Sequence, residues 1–195
     1  MTAPGFDPAF ADQFEMLLRW RRDVRHFTAR PVPENDVRAL LEIAALAPSV
    51  GNAQPWRFVR IRSAALRARI ADHVDAASAD AARAIPTEGR RSHYRTLKLH
   101  GIREAPELIA VFCDEAPDAG HGLGRATMPE MLRYSTVLAI HTLWLAARTR
   151  HLGIGWVSIL NPAAVIELLD VPAGWTLIAL LCLGYPDEPS DVPEL

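Results

Sequence analysis

The sequence predicts an α+β fold, in which a few strands are surrounded by many helices. Apolar residues recur at helical spacing in long segments, as at Val37, Leu40, Leu41 and Ala44. Short continuous apolar runs of strand length separate these segments. Because no repeat, low-complexity tract or long linker divides the chain, residues 1–195 are expected to form a single domain.

The first half of the chain is predicted to be mainly helical. Pro48 ends one helix, and Ser63 can accept a hydrogen bond at the start of an alanine-rich one. In order, we expect a helix over residues 12–20, a helix over 34–47, a strand over 57–61, a helix over 63–85 and a helix over 94–103.

The second half is predicted to alternate apolar strands with helices. Pro129 suits the first turn of the longest helix, whose expected buried face includes Val137 and His141. His141 is therefore expected to be a hydrogen-bonded core residue. In order, we expect a strand over 108–113, a loop over 115–127, a helix over 129–152, a strand over 155–160, a helix over 162–169 and a strand over 177–183.

Composition excludes several function classes. The net charge of −2 gives no general attraction to nucleic acid or to a membrane surface, so neither is expected as a partner. No apolar run approaches the ~18 residues of a spanning helix, and the N-terminus does not resemble a signal peptide. Cys113 and Cys182 lie in apolar runs and are expected to be buried reduced thiols in the cytoplasm. The histidines lack ligand spacing, so no metal is predicted.

A cluster of arginines, Arg21-Arg22-Asp23-Val24-Arg25, follows the first predicted helix. Three guanidiniums within five residues could bind a phosphate, because the planar fork of arginine matches its oxygens. The Asp23 carboxylate would repel a bound anion, so there must be a local reason for its presence among the arginines. That reason is either acid–base chemistry or an ion pair with Arg22 or Arg25 that orders the turn, and the residue alone leaves both open.

A second polar segment lies between Pro48 and Pro55. Ser49, Asn52 and Gln54 could supply hydrogen bonds to a planar heterocycle. The pair of patterns Arg-Arg-x-x-Arg and Ala-Pro-Ser-x-x-Asn-x-Gln-Pro-Trp resembles the FMN-dependent nitroreductase superfamily. The match extends through the Gly-Ile-Gly-Trp and Leu-Gly-Tyr-Pro segments and so covers nearly the whole chain.

Within that superfamily the details resemble the BluB branch, the 5,6-dimethylbenzimidazole synthases. That branch has Asp where ordinary nitroreductases usually have Ser, as at Asp23. Residues 120–125, 127–135 and 155–160 also resemble this branch. The resemblance implies a nitroreductase-like fold with a central, mostly antiparallel sheet surrounded by helices.

The resemblance further implies an oxidoreductase in which reduced FMN is a substrate and O2 a co-substrate. The flavin is fragmented to 5,6-dimethylbenzimidazole, for the lower ligand of vitamin B12, and erythrose 4-phosphate. The resemblance also implies a homodimer with FMN at the subunit interface, where residues 49–54 of the other subunit line part of the site. A separate flavin reductase would supply reduced FMN if no nicotinamide cofactor can enter the flavin site.

The same resemblance assigns roles to residues. Asp23 and Ser158 are the catalytic candidates: Asp23 as an acid–base group near the ribityl chain, and Ser158 as a hydrogen-bonding partner of flavin N5 or of oxygen bound beside it. Arg21 is assigned to the phosphate and Arg25 to the pyrimidine edge. The full predicted flavin-binding set is Arg21, Arg22, Asp23, Val24, Arg25, Ser49, Asn52, Gln54, Leu99, Trp156 and Ser158.

Three further features bear on the site, and the last two leave alternatives open. Nitroreductases often carry basic residues after Gly-Tyr-Pro, whereas this chain has Asp187, Glu188, Asp191 and Glu194, so its tail should not clamp phosphate in that way. Residues 120–124 are interpreted either as a mobile flap or as a plain surface loop. Gly153 and Gly155 suit the approach of a flat ring, or equally a helix cap and a strand entry.

Two other functions compete with the synthase. A conventional NAD(P)H-dependent nitroreductase would retain FMN and pass a hydride to an acceptor. A non-catalytic protein would bind the flavin without turnover, although storage gives no reason for a carboxylate beside an anion site.

Overall fold

A four-stranded antiparallel sheet forms the centre of the fold, with strand order β1-β2-β4-β3, in a computed structural model that describes residues 5–192. The strands are β1 (Trp56–Arg60), β2 (Glu107–Asp114), β3 (Gly153–Val157) and β4 (Trp175–Gly184). The helices are α1 (Pro8–Trp20), α2 (Glu34–Ala44), α3 (Ala64–Ala84), α4 (Glu88–Thr96), α5 (Met131–Thr149) and α6 (Pro162–Leu169). The predicted α+β class with an antiparallel sheet is therefore confirmed.

The core lies on both faces of the sheet. Along β4, Leu180 packs in one buried cluster with residues of α3 and α6, while Leu181 packs in another with residues of α2 and α5. This follows from the pleat, which directs successive side chains to opposite faces. Because both faces are covered, β2 and β4 are apolar almost throughout instead of alternating.

Several predicted boundaries are wrong. The helix predicted over 34–47 ends at Ala44, and the one predicted from Pro129 begins at Met131. The strand predicted over 155–160 is β3, which begins at Gly153 and ends at Val157. The chain turns after Val157, where the Leu160 N–H donates to the Ser158 carbonyl at 3.0 Å. Asn161 then caps α6 by accepting from the Ala163 N–H at 3.0 Å.

The helix predicted over 94–103 is also wrong, because α4 spans Glu88–Thr96 and the following residues form turns. Gly101 packs against Phe27 so closely that an added Cβ would lie 2.6 Å from the ring. Arg67 donates to the carbonyls of Ala105 and Pro106 at 2.8 and 3.3 Å. These tertiary contacts override local helix propensity.

The expected core role of His141 is wrong, since His141 is exposed. The buried face of α5 instead carries residues such as Ser135, Ile140 and Leu143, and Val137 is 39% exposed. Helix α1 has no buried residue, and Phe10 and Phe14 are 47% and 44% exposed. A single chain therefore leaves a large amount of apolar helix surface uncovered.

No helix in the described part of the chain is long and apolar enough to cross a membrane. Cys113 and Cys182 are free and buried, as expected. Burial raises the pKa of the Cys113 thiol to about 11 and that of the Cys182 thiol to about 12. Both thiols therefore remain protonated at neutral pH and are poor nucleophiles.

We expect neither thiol to react with a disulfide reagent such as DTNB in the folded protein at pH 8. Both should react in denaturant, where their pKa values fall to about 8.5 and a substantial fraction is thiolate. The absorbance released before and after unfolding measures this difference. Rapid reaction of the native protein would contradict the burial of these side chains.

Candidate functional site

The arginine cluster lies along β3 as an extended segment that begins where α1 ends. Arg21 is the C-cap of α1, and the Val24 N–H donates to the Ile154 carbonyl at 3.0 Å. An added Cβ on Gly155 would lie 2.1 Å from the Val24 carbonyl oxygen, and one on Gly153 would lie 2.5 Å from Val24 Cγ2. These glycines therefore permit close approach of the arginine segment, a reason that sequence analysis missed.

Asp23 is held by two donors. Its Oδ1 accepts from the Trp156 backbone N–H at 2.8 Å, and its Oδ2 accepts from Arg25 Nε at 3.0 Å. The Asp23 side chain is 31% exposed and that of Arg25 is 14% exposed. The ion pair considered from the sequence is present, and it leaves an oriented carboxylate that solvent or a ligand can still reach.

Arg21 and the aromatic residue Trp144 form the next part of the site. The Arg21 guanidinium lies 4.9 Å from the centre of the Trp144 ring. Trp144 Nε1 donates to the Arg22 carbonyl at 3.3 Å, and its ring stacks on that of Trp156 with centroids 6.4 Å apart. Because a guanidinium stacked on an indole keeps its N–H groups free at the rim, Arg21 can donate to an anion.

A cavity of about 580 Å³ opens over these groups. It is lined by residues 20–26, Trp144, Arg148, Leu152, Gly153, 186–190 and Val192. All five residues of the predicted arginine cluster therefore face one cavity. Its volume lies within the range of small-molecule sites.

The C-terminal segment also lines the cavity, through residues 186–190 and Val192. The Asp187 N–H donates to the His26 carbonyl at 3.1 Å, and Arg22 Nε donates to the Asp191 carbonyl at 2.8 Å. Asp187 and Glu188 line the cavity, whereas Glu194 lies outside the described residues. Arg22 Nε is thus bound to the tail, and two acidic residues of that tail, Asp187 and Glu188, belong to the cavity lining.

The other predicted site residues do not line this cavity in a single chain. Ser49 precedes a short 3₁₀ turn, Val50–Asn52, and Gln54 lies two residues beyond it; Asn52 and Gln54 are exposed. Leu99 lines a separate pocket of about 290 Å³. This pocket lies next to Lys98, whose carbonyl accepts from Arg25 at 3.4 Å.

Ser158 is exposed and follows the last residue of β3. Trp156 contributes its backbone N–H to Asp23, and its ring stacks on Trp144. Sequence analysis missed His26, Trp144 and Arg148 as cavity residues. No local signal identified Trp144 or Arg148, because helical spacing predicts which residues share a face but not which segment packs against that face.

The chain was compared with known proteins. Residues 18–185 match the model of the nitroreductase family. A 5,6-dimethylbenzimidazole synthase from Rhodospirillum rubrum is 58% identical over 194 residues, covering 100% of this chain and 92% of the relative. A protein of the same name from Rhodobacter capsulatus is 50% identical, covering 98% of this chain and 92% of the relative.

Solved structures show the same fold. Iodotyrosine deiodinase bound to FMN and 3-iodo-L-tyrosine superposes with a TM-score of 0.76 at 26% identity, over 90% of this chain and 91% of that chain. A BluB-like flavoprotein from Clostridium difficile gives a TM-score of 0.73 at 22% identity, over 98% of this chain and 95% of that chain.

We expect Gly155→Ala to lower the free energy of unfolding by about 3 kcal/mol or more, because the new methyl group would meet the Val24 carbonyl. Gly174→Ala is the matched control, since nothing lies within 4 Å of the position of its Cβ. Urea unfolding of both variants gives the comparison. Equal midpoints would contradict the close approach of the arginine segment to β3.

Proposed function

The chain belongs to the nitroreductase family, and we propose that within it the chain acts as a 5,6-dimethylbenzimidazole synthase that fragments reduced FMN with O2. The observation that carries this proposal is Asp23, an oriented carboxylate in a cavity that arginines line. The synthases that are 58% and 50% identical to this chain support the same reaction.

The residues of the cavity fit an FMN molecule. Arg21 stacks on Trp144 and has N–H donors for the phosphate, which suits charge-assisted hydrogen bonding. Arg25 is assigned to the pyrimidine edge of the flavin, in addition to its pairing with Asp23 and the Lys98 carbonyl. Arg22 has a lesser part because its guanidinium already binds the tail.

A homodimer would complete the site. The apolar surfaces of α1 and α5 that one chain leaves exposed can be covered by a second copy. Residues 49–54 of each subunit would then reach the flavin of the other, which gives a reason for the exposure of Asn52 and Gln54. Leu99 and Ser158 are proposed to complete the flavin contacts.

Reduced FMN, when bound, supplies the electrons for O2 and the atoms of both named products. The protein's part is to move protons and hold atoms in place. Asp23 can take or return a proton near the ribityl chain, while Trp156 N–H and Arg25 fix its orientation. The Ser158 hydroxyl is proposed to hydrogen-bond the N5 side of the ring.

The deciding experiment mixes purified protein with chemically reduced FMN under anaerobic conditions and then admits air. Chromatography with mass analysis should detect 5,6-dimethylbenzimidazole and loss of flavin. Return of all the flavin as intact FMN would contradict the synthase. Steady NAD(P)H oxidation would then indicate a conventional nitroreductase, and its absence a flavin-binding protein. If product forms with chemically reduced FMN but not with FMN and NAD(P)H, a separate flavin reductase is supported as the partner.

Asp23→Asn should lower the rate of product formation by about 100-fold or more while FMN affinity is kept or increased, because the variant removes the proton acceptor and a negative charge. Rates with saturating reduced FMN and binding titrations measure the two effects. The control is Asp114→Asn, whose carboxylate also pairs with an arginine, Arg57 at 2.8 Å, and accepts a backbone N–H, that of Ala116 at 3.0 Å. If Asp23→Asn forms product at the normal rate, Asp23 has only a structural role.

Arg21→Ala should weaken FMN binding by about 10- to 100-fold, the cost of losing a charge-assisted hydrogen bond. The rate at saturating flavin should change far less. Riboflavin provides the control ligand, because it lacks the phosphate and should bind both proteins equally. A parallel loss of riboflavin affinity would assign Arg21 to the ring or to folding instead of the phosphate.

A further inference from the structure

Residues 120–124 pack directly against the candidate flavin-binding turn of the same chain. An added Cβ on Gly120 would lie 2.7 Å from the Gly51 carbonyl oxygen, and one on Gly51 would lie 2.8 Å from the Leu123 carbonyl oxygen. An added Cβ on Gly124 would lie 2.7 Å from Val50 Cγ2. The two segments therefore meet at three points where a larger residue does not fit, two between backbones and one between Gly124 and the Val50 side chain.

The turn that they contact has an unfavourable backbone. Asn52 and Gln54 have φ values of 55° and 45°, in the left-handed region that non-glycine residues rarely adopt. Gln54 also precedes Pro55, a position that favours extended backbone. Such conformations persist only where the surrounding structure imposes them, and they concentrate at functional sites.

Ser135 on α5 holds the other side of the turn. It is 1% exposed, its hydroxyl donates to the Met131 carbonyl at 2.7 Å, and its Oγ accepts from the Val50 N–H at 3.0 Å. Within the turn, Ser49 Oγ accepts from the Gln54 N–H at 3.0 Å. The segment that carries Asn52 and Gln54 is thus held by two elements, α5 and residues 120–124.

We propose that Gly120 and Ser135 are positioning residues, which hold the Val50–Asn52 turn so that Asn52 and Gln54 project toward the flavin of the partner subunit. Residues 120–124 are then a fixed support of this turn and not a flap over the chain's own cavity. The proposal rests on the proposed function, because it requires that residues 49–54 bind flavin across the dimer.

Gly120→Ala tests the contact, with Gly122→Ala as the matched control. The two glycines have φ values of 79° and 77°, so an alanine has a similar backbone cost at each. Of these two glycines only Gly120 contacts the turn, since the Cβ of residue 122 would meet just Arg125 Nε at 3.7 Å. We expect Gly120→Ala to raise the Kd for FMN about tenfold and Gly122→Ala to leave it within about twofold of the wild type. Equal FMN affinities for the two variants would overturn the proposal.

Ser135→Ala provides a second test in case Gly120→Ala does not fold. It removes the acceptor of the Val50 N–H, and we expect it to raise the Kd for FMN about fivefold. The control is Thr136→Val, which removes a hydroxyl that is equally buried and donates to the Leu132 carbonyl at 3.1 Å. If both variants lower stability alike and neither changes FMN affinity, Ser135 serves only the fold.

A heterodimer separates this proposal from the proposed function. One subunit carries Asp23→Asn and the other Gly120→Ala, with different tags so that the mixed dimer can be purified. If the turn serves the partner's flavin, one of the two sites is wild type and the heterodimer keeps about half of the wild-type activity at a limiting FMN concentration. If the turn serves its own subunit, both sites are defective and activity does not recover. Absence of product from the wild-type protein would instead reject the proposed function.

Discussion

The close approach of the arginine segment to β3 is the constraint on which the rest of the site depends. Gly155 leaves 2.1 Å between the Val24 carbonyl oxygen and the position of a Cβ, and the Val24 N–H donates to Ile154 at 3.0 Å. This register brings Asp23 to the Trp156 N–H. It also directs Arg25 to the Lys98 carbonyl, so a single backbone contact aligns two separate parts of the chain.

The sequence predicted best those elements whose boundaries depend on local chemistry. The side chain of Ser63 caps α3, and α6 spans Pro162–Leu169 as expected, because caps and proline positions are set by neighbouring residues. The turns after α4 could not be predicted, since they depend on Phe27 packing against Gly101 across the fold. His141 failed for another reason: periodicity locates an apolar stripe on α5 but does not say whether this chain or another one covers it.

The motifs located the cavity wall but not its geometry. Residues 21–25 all line one cavity, and their clustering had indicated a phosphate site. The two interpretations of Asp23, acid–base chemistry and an ion pair, are compatible. The ion pair with Arg25 helps to orient the carboxylate that the proposed chemistry needs. Trp144 escaped prediction because its link to Arg21 and the Arg22 carbonyl joins residues more than a hundred positions apart.

The acidic tail bears on whether the flavin is a cofactor or a substrate. Asp187 and Glu188 line the same cavity as Arg21, and negative charges near an anion site weaken its attraction for phosphate. A retained cofactor gains from the tightest possible phosphate contacts. A flavin that is consumed has to be replaced at every turnover, and a phosphorylated product such as erythrose 4-phosphate has to leave the same contacts. A cavity lined by acidic residues as well as arginines therefore favours the synthase over an enzyme that keeps its FMN.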